Sequence, residues 1–143
     1  MNKYSSIGGA ASRTTQSGLD TKTILLVDNE SAVLSSISTL LEARGCQVHT
    51  ASSAAAATQV MSLNAAVIDC LVIGFSMPVT NGLRLLNRFR SVGWRHPTVL
   101  CSEHTINLGD HPDAQYWPDY ILAKPYCFDR LQAAISTALR TPD

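Results

Sequence analysis

Apolar residues along the chain fall by turns into short unbroken runs and into stripes of helical spacing. Ile24 to Val27 (ILLV) is an unbroken run of β-forming residues, the pattern of a strand covered on both faces. It leads into Asp28-Asn29-Glu30-Ser31, a cluster suited to capping a helix. Val33, Leu34, Ile37, Leu40 and Leu41 then recur at helical spacing, and Gly45 stops the stripe where a C-terminal glycine is expected. Cys46 to Thr50 predicts a second strand and Ser53 to Met61 an Ala-rich helix. A third strand is predicted over Ala66 to Ile73, a third helix over Gly82 to Arg90 and a fourth strand over Thr98 to Cys101. Tyr120 to Ala123 makes the fifth strand. Asp129 to Arg140 closes the chain as a helix with Leu131, Ala134, Ile135, Ala138 and Leu139 on one stripe.

Strands that alternate with helices pair in parallel through right-handed crossovers, which put helices on both faces of one sheet. An α/β fold is therefore expected. Between Ser102 and Lys124 the pattern weakens. Gly109 and Pro112 each cut a helix short, so at most two turns are expected near Glu103 to Leu108, followed by irregular chain. Residues 1–20 are rich in Ser, Thr and Gly without periodicity and read as a disordered tail, leaving 21–143 as a single domain.

Composition then narrows the function. A chain of 143 residues, 45% hydrophobic and 15% charged, suffices for one globular domain with a sizeable core. Eleven basic residues balance eleven acidic ones, so no overall field draws the chain to nucleic acid or anionic lipid. No apolar run approaches the ~18 residues of a membrane span. The first residues lack the apolar stretch of a signal peptide, and a cytoplasmic location is expected. Cys46, Cys70, Cys101 and Cys127 have no CxxC spacing and read as free thiols.

Open parallel sheets bind ligands at the carboxyl ends of their strands. Those ends carry Asp28 and Asn29 after the first strand, Gly74 after the third, Ser102 after the fourth and Lys124 after the fifth. Here a resemblance becomes specific. ILLVDNE resembles the first strand of response-regulator receiver domains, in which two adjacent acidic residues help bind Mg2+. LVIGFSMPVTNG resembles their third strand and loop, with an Asp three residues before Met-Pro and a Gly four after the Pro. PTVLCSE is similar to the strand ending in the family's Thr or Ser, and ILAKPY to the strand carrying its Lys-Pro. The motifs come in the family's order, and the likeness runs from Thr23 to the C-terminus. It implies a flavodoxin-like (CheY-like) doubly wound five-stranded parallel sheet, (βα)5, with strand order 2-1-3-4-5.

The chemistry of that family explains its residue types. A carboxylate attacks phosphorus and becomes an acyl phosphate. Mg2+ bridges acidic oxygens and the phosphoryl group, while the Lys and the hydroxyl take up charge on the phosphoryl oxygens. On the matching positions, Asp28 keeps one acid and Asn29 replaces the other with a neutral amide. Gly74 stands where the acceptor Asp belongs, and Ser102 and Lys124 remain. Asp28 is the only plausible remaining metal ligand, so Mg2+ binding is expected to be weak or absent and no cofactor is expected. Asp69, five residues before Gly74, belongs at the opposite end of the sheet. The switch position, three residues before the Lys and commonly Tyr or Phe, is Ile121, with Tyr120 on the other face.

The resemblance thus implies an atypical stand-alone receiver of a two-component phosphorelay, not an enzyme, acting by phosphorylation-independent binding. Its partner would be a histidine kinase, a regulator or another receiver, with a homodimer as a further arrangement. No direct DNA binding by this chain and no membrane contact are expected. The alternatives are a phosphoacceptor using Asp28, a sensor of small anions in the vacated pocket, and the receiver part of a transcription regulator. Several features have plainer readings. Asp28, Asn29 and Ser102 could be helix caps. Arg84, Arg88, Arg90 and Arg95 could be a solvated face or a surface for an acidic partner, and His104 and His111 with Asp110 and Asp113 ordinary loop residues rather than a metal site. Trp94 and Trp117 could anchor a partner or cover an edge of the core.

Overall fold

The computed structural model describes residues 19–140, and the first eighteen residues of the expected tail lie outside that range. Five strands, β1 (Thr23–Val27), β2 (Gln47–Ala51), β3 (Cys70–Gly74), β4 (Thr98–Ser102) and β5 (Tyr120–Ala123), form one parallel sheet in the order β2-β1-β3-β4-β5. The helices are α1 (Ser31–Ala43), α2 (Ala54–Asn64), α3 (Gly82–Ser91) and α4 (Phe128–Arg140).

Alternation along the strands builds two cores. Ile24, Leu26, Cys70, Val72, Val99, Cys101 and Leu122 face α1 and α4, where Ile37, Leu41, Leu131 and Ile135 meet them. Leu25, Val27, Leu71, Ile73 and Leu100 face α2 and α3, against Met61, Leu83, Leu86 and Phe89. Both faces of every inner strand are thereby removed from water, which is why those strands read as unbroken apolar runs.

Four expectations about the elements need correction. No α-helix stands between β4 and β5 among the described residues, only a 3-10 turn at Leu108–Asp110. The (βα)5 pattern is thus short of one helix, and of the at most two turns expected near Glu103 to Leu108 only a 3-10 turn beginning at Leu108 forms. β3 begins at Cys70, not Ala66, because α2 runs to Asn64 and the Asn64 carbonyl accepts the N–H groups of Val67 and Ile68. Cys46 precedes β2, its N–H donating to the Leu41 carbonyl as α1 closes through Gly45 at φ 93°. Finally, the domain starts before residue 21. Leu19 is fully buried in the α1–α4 core, and its carbonyl accepts from Lys22 N–H and the Cys46 thiol.

Candidate functional site

Val27 pairs with Ala51 on one side and Ile73 on the other, so the residue after it emerges at the carboxyl edge of the sheet. That residue is Asp28, 3% exposed, with its N–H donating to the Ala51 carbonyl. Its Oδ1 accepts the Glu30 N–H at 2.9 Å. This is an Asx turn ahead of α1, whose N-cap Glu30 makes no side-chain cap. Asp28 therefore caps the turn and not the helix, and Asn29 stays exposed.

The other oxygen, Oδ2, lies 2.9 Å from the Lys124 Nζ. Lys124 is delivered there by β5, since Ser102 pairs with Ala123 and the Lys124 N–H donates to the Ser102 carbonyl. Burial pulls the Lys124 ammonium down, but the hydrogen bond and charge of Asp28 outweigh it and leave its pKa above the usual value. The sequence brought Asp28 and Lys124 to one edge, and the structure joins them as an ion pair.

Gly74 ends β3 beside this pair. A Cβ built on it would lie 3.3 Å from the Asp28 Oδ2, so the carboxylate sits in contact with the space a side chain would enter. Gly82 explains itself similarly. A side chain there would run into the Gly74 carbonyl oxygen, so only glycine lets α3 begin this close to β3. The Gly82 N–H donates to the Phe75 carbonyl across that approach.

Ser102 is buried at the end of β4, but its hydroxyl turns into its own loop, donating to the His104 carbonyl at 2.8 Å and accepting the His104 N–H. It caps a turn of loop, there being no helix to cap. Ile121 and Tyr120 are both partly exposed on the outermost strand, at 37% and 38%. Asp69 is at the far edge, where its carboxylate accepts the Thr23 N–H at 2.8 Å. Among the described residues no three His, Cys, Asp or Glu side chains gather as a metal-binding group, and the His104–Asp113 loop makes none. The donor set at the carboxyl edge does not suit Mg2+, which prefers several oxygen ligands: a single buried carboxylate is there, already facing an ammonium.

Two residues matter more than sequence reasoning suggested. Asn87 holds the irregular segment onto α3: its Oδ1 accepts the N–H groups of Gln115 and Tyr116, and its Nδ2 donates to the Tyr116 carbonyl. The available signal was an Asn, a weak helix former, one turn after buried Leu83. Arg90 does not belong to a solvated basic face. It is 7% exposed, donates to the Trp94 and His96 carbonyls, and pairs with Asp119 at 3.4 Å. Its spacing from Leu83 and Leu86 turns it inward. Trp94, 5% exposed against Phe89, covers an edge of the core. All four cysteines are free, and burial pushes the Cys46 thiol up to about 11 and the Cys101 thiol to about 12. No helix among the described residues is long and apolar enough to cross a membrane.

Residues 24–136 match the response regulator receiver domain family. The response regulator protein TodT of Pseudomonas putida is 28% identical over 121 residues, covering 82% of this chain and 51% of TodT. TmoT of Ectopseudomonas mendocina is 30% identical, with 82% and 52% covered. The chain spans about half the length of these curated relatives. Among solved structures, a receiver domain protein from Clostridium thermocellum superposes with a TM-score of 0.71 at 26% identity, covering 82% of this chain and 94% of that one. The non-phosphorylated HemR receiver domain of Leptospira biflexa, at 15% identity and covering 86% and 98%, shares the fold with a TM-score of 0.74. With the sheet order, the two-faced core and these likenesses in agreement, the chain belongs to the response-regulator receiver family.

Proposed function

We propose that this receiver works in a two-component pathway by binding a protein partner in one fixed state, without accepting a phosphoryl group. The observation that carries the reading is the Asp28–Lys124 pair closed beside Gly74. In a working receiver the nucleophile is a carboxylate at the end of β3, and glycine offers none. The remaining carboxylate is held by the Lys124 ammonium and the Glu30 N–H, so it is not poised to bind metal.

A second feature supports a fixed state. The segment between β4 and β5 lacks a helix and is fastened to α3 through Asn87, while the Ser102 hydroxyl is bound within its own loop. The partner would be a histidine kinase, a regulator or another receiver, and the domain would meet it in the cytoplasm. Incubation with acetyl phosphate and Mg2+ tests the reading. The intact mass should stay unchanged. Gain of one phosphoryl group, with the adduct mapped to Asp28 or Asp69, would overturn it.

A further inference from the structure

A groove of about 630 Å³ runs between α2 and the C-terminal end of α3, at the amino edge of the sheet and away from Asp28. Its floor is the edge of the core, Met61, Phe89 and Trp94, each 5% exposed or less, and Val92, 77% exposed, stands over it. Its charges are all of one sign. Arg88 and Arg95 line it, no Asp or Glu does, and α2 contributes no charged residue. Arg90, close by, is already neutralised by Asp119 and adds nothing to the rim. The result is an apolar trough with one basic bank.

We propose that this groove is a docking site for an acidic amphipathic helix of a protein partner. Apolar side chains on one face of such a helix would cover Val92 and seat against the floor formed by Met61 and Phe89, and carboxylates on its flank would meet Arg88 and Arg95. The Trp94 indole N–H is buried without an acceptor among the described residues. A bound segment that draws the ring toward it and offers an oxygen gains a hydrogen bond that the chain alone does not make.

Other occupants fit less well. Residues 1–18 carry Lys3 and Arg13 and no acid, the wrong sign for this bank. Among the described residues a second copy has no suitable helix to offer: α1 and α4 carry one acid each, and α2 and α3 none. A nucleic-acid backbone would satisfy the arginines but leave the apolar wall uncovered.

The test is an NMR titration of the whole chain with a synthetic amphipathic helical peptide of Leu and Glu, its Glu→Lys counterpart and a short DNA duplex. Signals of Met61, Val92 and the Trp94 indole, assigned with a Trp117→Phe variant, should move with the Glu peptide and not with the Lys peptide. Arg88→Glu with Arg95→Glu, both exposed, should weaken the Glu peptide about tenfold or more and admit the Lys peptide instead. Val92→Asp should weaken it without touching the arginines. The proposal is overturned by an absence of shifts, by shifts at the Asp28 edge instead, or by indifference to peptide charge. It is equally overturned if the duplex occupies the groove in preference, or if sedimentation shows self-association that buries Val92.

Discussion

Asp28 and Lys124 are mutually dependent because neither is well solvated, their side chains being 4% and 19% exposed. Removing one partner of such a pair strands the other charge, which generally costs more than the pair contributes. Lys124→Met should therefore destabilise the fold by about 3 kcal/mol in urea unfolding. Lys124→Met with Asp28→Leu should recover part of the loss. The pair also sets an alkaline limit. The folded pKa of Lys124 is raised above its usual 10.5, so its contribution is complete below 10.5 and lost as pH climbs through the raised value. The stability gap between the native chain and Lys124→Met should accordingly narrow above that pH. At Gly74 the question is chemical. Gly74→Asp alone supplies a nucleophile but crowds Asp28 and leaves Asn29 uncharged, so no full metal site results. Gly74→Asp with Asn29→Asp should take up phosphoryl from acetyl phosphate and Mg2+ far better than either change alone, by intact mass. A folded double variant that stays inert would mean that Ser102, bound into its loop, is a further obstacle.

At the scale of elements, the segment from Glu103 to Asp119 is ordered by polar contacts more than by helical repetition. Asn87→Ala should leave the Gln115 and Tyr116 N–H groups without their acceptor, costing about 1 kcal/mol because water can reach them in part. Hydrogen exchange at those two amides should quicken while exchange in β1 and β3 changes only with global stability. This segment also shows what a sequence discloses. The five strands and four helices were legible because ILLV and CLVI are unbroken apolar runs, because Leu131, Ala134, Ile135 and Ala138 keep helical spacing, and because Gly45 stops the first helix. Gly109 and Pro112 correctly warned of a broken helix, but the sequence does not say that one Asn side chain would replace it. The site divides in the same way. Strand ends placed Asp28, Gly74, Ser102 and Lys124 on one edge, whereas the turn of the Ser102 hydroxyl into its own loop depends on packing that no spacing announces.

For the molecule as a whole, the two cores are closed by different means. The α2–α3 core is sealed at the amino edge by Trp94, and the α1–α4 core reaches back to Leu19, four residues ahead of β1. Leu19→Ala should cost about 2–5 kcal/mol, the range for opening a buried cavity, and lower the midpoint of thermal unfolding. That burial also decides where the domain can be cut and joined. A protease site or fusion junction placed at residue 21, where the strand pattern invites it, would withdraw the plug from between α1 and β2 and uncover the Cys46 thiol that hydrogen-bonds to it. A junction before Leu19 keeps both. The safe boundary for grafting this receiver onto another protein is therefore set by a leucine outside its first strand, and any linker has to be counted from there.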